Sequence, residues 1–399
     1  MRALIYHGLF ESAGGAEKFS MGLCRALEEL GHEVEIRAFV RDREALERSL
    51  SLLERGYEPR LRASPTPLLY NALDSILEGR FVRLERLILA EKFLRELEEE
   101  RRGFDLVIDT GTNVPTDVDV SYIHYPTVAP GYGSGLLYDL YHELVVRLAR
   151  RIEGSPRLIL TNSSWTAEKV AALYPRARGR LGVLHPPVDV EYFAEAQRGG
   201  REKLIVTVSR FTPEKRLEDL LIAARELSGY DFVFVGSAGR YSRPVIERMR
   251  SAIEEWGLGN VELKINVDRR ELREILGMAR FYVHPPYSEH FGIAAVEAMA
   301  AGCVPIVYRD GGLWTDVVSG VDQRLGYIDV REIPRIVGEL ESDGEELRRL
   351  GSRAAEVSRK FSYDRFKLRL AEYLRMIEGE SGPRREPTRG SARASSRRA

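Results

Sequence analysis

The sequence predicts an α/β protein made of two doubly wound, parallel-sheet domains. Three observations carry this. Short apolar runs alternate with amphipathic helical segments, the order that builds βαβ units. The pattern restarts after HPPVDVEYFAEAQRGG, which spans residues 185–200. The length, 399 residues, suits two domains of ordinary size.

The elements follow in order. RALIYHG reads as a first buried strand, ESAGGAEKF as a glycine-containing loop, MGLCRALEELG as a helix ending at Gly31, and EVEIRAFV as a second strand. Residues 40 to 103 read as mostly helical, including RFVRLERLILAEKFLRELEEERR. FDLVIDTG, DVSYIHYP, PRLILTNS and RLGVLHPPV read as strands. LLYDLYHELVVRLARRIEG and SSWTAEKVAALY read as helices, the latter capped by Ser163 or Ser164. EKLIVTVSR, YDFVFVGSA, NVELKINV, RFYVHPP and VPIVYRDG then repeat the strand pattern with helices between them. The expected boundaries are a first domain over 1–185, a second over 186–362, a last helix over 363–380 and a disordered tail over 381–399. That tail holds six arginines against one glutamate and almost no apolar side chains.

Composition excludes several classes. Hydrophobic residues are 44 % and charged residues 30 %, as in a soluble globular protein. Sixty Lys and Arg against 61 Asp and Glu give a net charge of −1, which argues against a dedicated nucleic-acid binder. The two cysteines, Cys24 and Cys303, cannot make a disulfide framework or a Cys-rich metal site. No HExxH motif or cysteine cluster is present, so no metal is expected. The longest apolar runs are too short for a transmembrane helix, and the N-terminus does not read as a signal peptide. No GxGxxG or Walker sequence appears, which leaves nicotinamide and ATP motifs unsupported.

The candidate site residues fall at the carboxyl ends of predicted strands, where open α/β sheets bind ligands. Gly14 and Gly15 precede the first helix, where bare backbone can approach a phosphate, although a tight turn would need them equally. Arg210 and Lys215 bracket VSRFTPEKR and could clamp a diphosphate, or be ordinary surface charges. Glu289 and Glu297 form a Glu-x7-Glu pattern, with Phe291, Gly292 and Ile293 at a helix N-terminus whose N–H groups can bind an anion or hydroxyls. Glu297 sits on an otherwise small, apolar helix, so its charge needs a partner, whether a ligand hydroxyl or an arginine. His124 in DVSYIHYPT could face the cleft or be a satisfied core histidine. His185, His284 and His290 are further candidates.

AGGAEK, TNSSWT, HPPVD, VSRFTPEKR and EHFGIAAVEAMAAGCVPIVYRDGG occur in the order found in family 4 of the retaining glycosyltransferases, which this chain resembles over residues 1–380. SYIHYPT, NSSWT and EHFGIAAVEAMAAG are most similar to the eukaryotic α-1,2-mannosyltransferases that extend the dolichol-linked oligosaccharide. The resemblance implies a GT-B fold: two Rossmann-like domains facing a central cleft, with a C-terminal helix crossing back to the first. It implies that Gly14, Gly15, Arg210 and Lys215 bind the donor diphosphate and that Glu297 binds the ribose. His290, Phe291, Gly292 and Ile293 would bind the donor sugar, and Lys264, Ile265 and Asn266 the base. His124 and Glu289 would be the catalytic pair at the transferred sugar, Glu289 as a positioning group.

The implied reaction is retaining, metal-independent transfer of a sugar to a hydroxyl of a glycan or lipid-linked glycan. The expected donor is GDP-mannose, a co-substrate rather than a cofactor. The alternatives are a UDP-sugar-dependent enzyme of the same fold and a nucleotide-sugar epimerase. The expected partners are the donor, the acceptor and a peripheral membrane contact through the amphipathic helices or the tail, with no nucleic acid. The expected location is the cytoplasm, including the cytoplasmic face of a membrane.

Overall fold

The computed structural model describes residues 1–11, 14–53, 57–77, 82–130, 133, 135–197, 200–239 and 242–379. The tail expected over 381–399 lies outside them.

Seven strands form the first sheet: β1 (Arg2–Leu9), β2 (Glu33–Val40), β3 (Leu61–Pro65), β4 (Leu106–Asp109), β5 (Val120–Ile123), β6 (Leu158–Thr161) and β7 (Leu181–Val183). Six form the second: β8 (Glu202–Val208), β9 (Asp231–Gly236), β10 (Val261–Ile265), β11 (Ala279–Val283), β12 (Val304–Tyr308) and β13 (Gly326–Tyr327). The orders are β3-β2-β1-β4-β5-β6-β7 and β10-β9-β8-β11-β12-β13, and the pairings are parallel. Helices cover both faces, so central strands are apolar throughout: β1 buries six consecutive residues from Ala3 to Gly8. The order reverses between β1 and β4 and again between β8 and β11. Ligand crevices open at such points.

β3 is a departure from the helical reading of residues 40 to 103. It is an edge strand, its five residues are all exposed or half-buried, and it pairs only along β2 before ending at Pro65. It lacks the apolar pattern that marks a strand in sequence.

The last helix, Tyr363–Gly379, returns to the first domain. Phe366, Leu370, Tyr373, Leu374 and Ile377 join the cluster of Phe19, Leu23 and Leu27. Burying each such side chain stabilises by about 1.5–3 kcal/mol relative to exposure. Tyr373 donates its hydroxyl proton to the Val183 carbonyl and accepts from the Val183 N–H, both at 3.1 Å, and Lys367 pairs with Glu29 at 2.6 Å. The chain crosses back beside the outward linker, where the Val188 N–H donates to the Phe361 carbonyl at 2.9 Å.

Candidate functional site

Two helix N-termini meet in the cleft. The helix Gly15–Glu29 follows β1, and its N-cap Gly14 supplies no side-chain cap. The helix Ile293–Ala300 follows β11 and starts at Gly292, a left-handed residue with φ 85°. A Cβ on Gly15 would stand 3.5 Å from Ile293 Cδ1. One turn further in, Lys18 Nζ donates to Glu297 Oε1 at 3.1 Å. Glu297 is 4 % exposed, so its carboxylate has a partner from the opposite domain rather than an arginine of its own. The N–H groups of these first turns and their positive dipole ends can hold an anion.

The loop after β8 meets the loop after β11 in a compact charged cluster. Lys215 Nζ donates to Glu289 Oε2 at 3.2 Å and to the Tyr287 hydroxyl, and lies 4.0 Å from the Tyr287 ring centroid. The Tyr287 hydroxyl donates to the same carboxylate oxygen. Burial pushes the Glu289 carboxyl up, but Lys215, His284, His290 and the Tyr287 hydroxyl outweigh it and leave it well below the usual carboxylate range. The carboxyl therefore stays ionised. His284 Nε2 is buried without a hydrogen-bond partner and lies 3.7 Å from Glu289 Oε2. Burial depresses His284 to about 4.

Arg210 extends from the end of β8 with half of its side chain exposed, and Glu214 lies 3.9 Å away. At the end of β10, Lys264 pairs with Glu271 at 3.1 Å and Glu262 at 3.3 Å, so its ammonium is spoken for within its own domain. Ile265 closes β10, and Asn266 is left-handed (φ 57°) with its side-chain oxygen accepting from the Ala238 N–H at 2.9 Å. These three residues lie at the end of the edge strand that pairs with β9, while Phe291 turns its ring into the core against His185 and Phe361. Phe291 can thus offer a ligand its backbone only.

His290 stacks on Tyr125 of the first domain at 4.3 Å, with Trp165 beyond it at 5.8 Å. His124, at the end of β5, is packed edge-on to Phe19 and Tyr122, and its Nε2 is buried without a partner. The residue as a whole is half-buried, and this one ring nitrogen is left unsatisfied. Burial lowers His124 to about 3 and His290 to about 4, so both rings are neutral at physiological pH.

Further contacts hold the domains together. The Ser164 N–H and hydroxyl donate to Asp316 at 2.8 and 2.5 Å, His185 Nε2 lies 2.8 Å from the same group, and Trp165 Nε1 donates to Asp310 at 3.0 Å. Burial raises the Asp316 carboxyl, but His185 and Ser164 outweigh this and hold it at about 2. Gly312 lets these walls touch: a Cβ there would fall 1.9 Å from the His290 carbonyl oxygen and 2.4 Å from Ser163 Oγ.

Contacts thus bring Glu297 and His290 against Lys18 and Tyr125 of the first domain and Lys215 against Glu289, while Lys264, Ile265 and Asn266 stand apart at the end of edge strand β10. Sequence reading passed over Lys18, Tyr125, Tyr287 and Asp316. Lys18 stood inside the quoted AGGAEK, one helical turn past the glycines, and that spacing was the available signal. Asp316 carried none. Among the described residues no three His, Cys, Asp or Glu side chains group as metal ligands.

Two facing doubly wound domains, with a C-terminal helix crossing back and the cleft at their switch points, define the GT-B class of glycosyltransferases. Two family models match the chain, Glycosyltransferase Family 4 over residues 13–192 and Glycosyl transferases group 1 over 189–357. Together they take in most of the chain, and the protein belongs to these glycosyltransferases. It is 23 % identical over 329 residues to a GDP-Man:Man(3)GlcNAc(2)-PP-Dol alpha-1,2-mannosyltransferase of Dictyostelium discoideum, covering 73 % of this chain and 65 % of that one. The Mus musculus enzyme of the same name is 27 % identical over 234 residues, 50 % of this chain and 47 % of its own. The chain thus spans from about half to just under two thirds of the length of these relatives. Among solved structures, sucrose-phosphate synthase of Thermosynechococcus elongatus superposes with TM-score 0.71 at 18 % identity, covering 96 % of this chain and all of that one. HepE of Anabaena, in complex with UDP and glucose, superposes with TM-score 0.68 at 16 % identity, covering 94 % and 99 %. At these identities the structures show the fold.

Proposed function

We propose that this glycosyltransferase moves mannose from GDP-mannose to a hydroxyl of a lipid-linked glycan, with retention of configuration and without a metal. The observation that supports the reading is the meeting of the two domains at helix N-termini: Gly15 lies beside Ile293 and Lys18 pairs with Glu297, while Lys215 pairs with Glu289 in the second domain. Mannose and GDP are favoured by the names of the relatives, each a GDP-mannose-dependent α-1,2-mannosyltransferase. A UDP-sugar is the second reading, favoured by the UDP held in HepE on this fold.

In the reaction the C1–O bond to the diphosphate breaks as an acceptor oxygen bonds to C1 on the same face. The departing phosphate oxygen takes the acceptor proton. Positive charge grows on the sugar ring and negative charge on the leaving group. Arg210, Lys215 and the two helix N-termini oppose the latter with preorganised charge, the task a metal performs elsewhere. Glu297 accepts from ribose hydroxyls once Lys18 yields it. Glu289, kept ionised, orients the sugar and stabilises its positive charge. Neutral His124 offers a hydrogen bond to the transferred sugar. Domain closure excludes water that would hydrolyse the donor.

A membrane-borne acceptor is supported by exposed leucines. Leu136 is 74 %, Leu137 84 % and Leu140 56 % exposed on the helix Leu136–Ile152, which ends in Arg150 and Arg151. Such a face suits the interface of an anionic bilayer, at the cytoplasmic side if the acceptor is presented there. No helix among the described residues is long and apolar enough to cross a membrane.

The test is transfer of labelled mannose from GDP-mannose to lipid-linked oligosaccharide acceptors in EDTA, with NMR of the product anomer. An α-linked product supports the reading. Transfer from UDP-sugars alone moves it to the second reading, and free sugar release without an acceptor contradicts both.

A further inference from the structure

The reaction described above makes no use of the segment Asn162–Trp165, which leads from β6 into the helix Ser164–Leu173. The structure makes this segment the first domain's hold on two second-domain loops. Asn162 Nδ2 donates to the His124 carbonyl at 3.0 Å, so the segment is tied to the end of β5. Ser163 Oγ accepts from the Thr166 N–H at 3.1 Å and starts the helix. Trp165 Nε1 then donates across the domain boundary to Asp310 Oδ1 at 3.0 Å. The other oxygen of Asp310 accepts from the Ser288 hydroxyl at 2.5 Å. Ser288 immediately precedes Glu289. One carboxylate therefore joins Trp165 to the loop that carries Glu289 and His290.

A second link is aromatic. Trp165 is 8 % exposed, and its ring lies 5.9 Å from Tyr125 and 5.8 Å from His290, at interplanar angles of 16° and 19°. Two rings of the first domain and one of the second thus form a single near-parallel group. The backbone adds a third link. Glu289 pairs with Gly311 in an isolated parallel bridge, and the Leu313 N–H donates to the Glu289 carbonyl at 3.2 Å. Gly311 is left-handed, with φ 91°, and a Cβ there would stand 2.4 Å from that carbonyl oxygen. The loop after β12, which holds Asp310 and Gly311, is thereby fixed to the Glu289 loop on one side and to Trp165 on the other.

We propose that Trp165 is a positioning residue. Its indole N–H acts through Asp310 and Ser288, and its ring through Tyr125 and His290, to hold Glu289 and His290 in register with the first domain. This rests on the function proposed above and deepens it, since Glu289 orients the sugar there. A loop takes its shape from such ties, and a shift of about 1 Å in a group that orients a reacting sugar costs about a hundredfold in rate.

Three variants test this. Trp165→Phe keeps an aromatic ring and removes the N–H. Asp310→Ala removes the oxygens that receive both donors, and Asp310 is exposed, so the core stays intact. Asp310→Asn still offers an oxygen to the indole and an amide to Ser288. The kcat for transfer from GDP-mannose to a lipid-linked oligosaccharide should fall about tenfold or more in Trp165→Phe and Asp310→Ala, with KM for GDP-mannose within about threefold. Asp310→Asn should recover most of the rate. Trp165→Phe combined with Ser288→Ala should be no slower than the slower single variant, because both cut one path. Proton NMR of the unliganded proteins supplies a readout that needs no donor. The His290 ring signal, identified by its loss in His290→Gln, should move in Trp165→Phe and Asp310→Ala and return toward wild type in Asp310→Asn. A His290 signal that stays in place in both variants overturns the proposal, as does an unchanged kcat or a loss that multiplies in the double variant. Wild type that transfers nothing from GDP-mannose removes the functional reading and leaves the NMR result to decide this one. Unchanged circular dichroism in Asp310→Ala shows that a loss is not unfolding.

Discussion

Lys18 of the first domain holds Glu297 of the second, Nζ to Oε1 at 3.1 Å, although the two residues lie 279 positions apart. Each stands within two turns of a helix N-terminus, so the ion pair spans the point where both helices aim into the cleft. It gives a buried carboxylate a partner and marks what a ligand hydroxyl would replace.

Removing Lys18 leaves the Glu297 carboxylate buried and unpaired. Lys18→Met should destabilise the fold by about 1–3 kcal/mol. The double variant Lys18→Met/Glu297→Gln should recover part of that loss, since the uncompensated charge is gone. Urea unfolding of the four proteins in the cycle measures the coupling.

Lys215 plays the same part for Glu289 at 3.2 Å, with Tyr287 between them. The pair is half-buried, so breaking it from one side should cost less than the ~3–5 kcal/mol of a fully buried pair. Lys215→Met should destabilise by about 1–3 kcal/mol and abolish transfer, and Glu289→Gln in the same chain should restore part of the stability without restoring transfer. Thermal melts beside a transfer assay check both.

Four desolvated histidines, His7 and His284 buried and His124 and His290 half-buried, set an acid limit. His7 and His124 are lowered to about 3, and His284 and His290 to about 4. Below about pH 6.5 the unfolded chain therefore takes up protons that the native rings refuse, so stability is complete above that pH and falls on acidification. Each such histidine contributes on the order of 1.4 kcal/mol per pH unit within this window. Unfolding midpoints at pH 7, 6 and 5 should fall steadily, with a shallower slope in His284→Gln. Stability that holds level to pH 5 would contradict these burials.

Gly312→Ala should cost about 1–3 kcal/mol by overpacking, because the new methyl meets the His290 carbonyl and Ser163 Oγ. The same displacement should lower nucleotide affinity, which titration with GDP reads out. Ala at Gly338, whose added Cβ meets nothing within 4 Å, is the control.

If the leucine face meets lipid, Leu136→Ser and Leu137→Ser together should weaken sedimentation with anionic vesicles several-fold while activity on a soluble acceptor persists. Both side chains are mostly exposed, so the fold should not suffer.

The framework was readable because buried parallel strands such as Ala3–Leu4–Ile5 and Leu204–Ile205–Val206 are apolar on both faces. Exposed β3 broke that pattern and was missed. In the site, Glu297 stood out as a charge on a helix of small apolar residues, and the Lys18 partner explains how it is tolerated. Arg210 and Lys215 could be placed at a strand's end, but their surroundings could not be foreseen. Whether a lysine meets Tyr287 and Glu289, as Lys215 does, or its own domain's carboxylates, as Lys264 does, depends on loop conformation. Asp316 acts across the domain gap, and local spacing carries no record of that.

The most direct test of the donor cleft is the thermal midpoint of wild type and Glu297→Ala in EDTA with GDP, UDP and ADP. A ligand bound only by the native state raises the midpoint. GDP should raise that of wild type more than UDP or ADP does, and Glu297→Ala should lose the shift while keeping its native circular dichroism. Equal shifts in both proteins, or none with any nucleotide, would contradict the donor site described here.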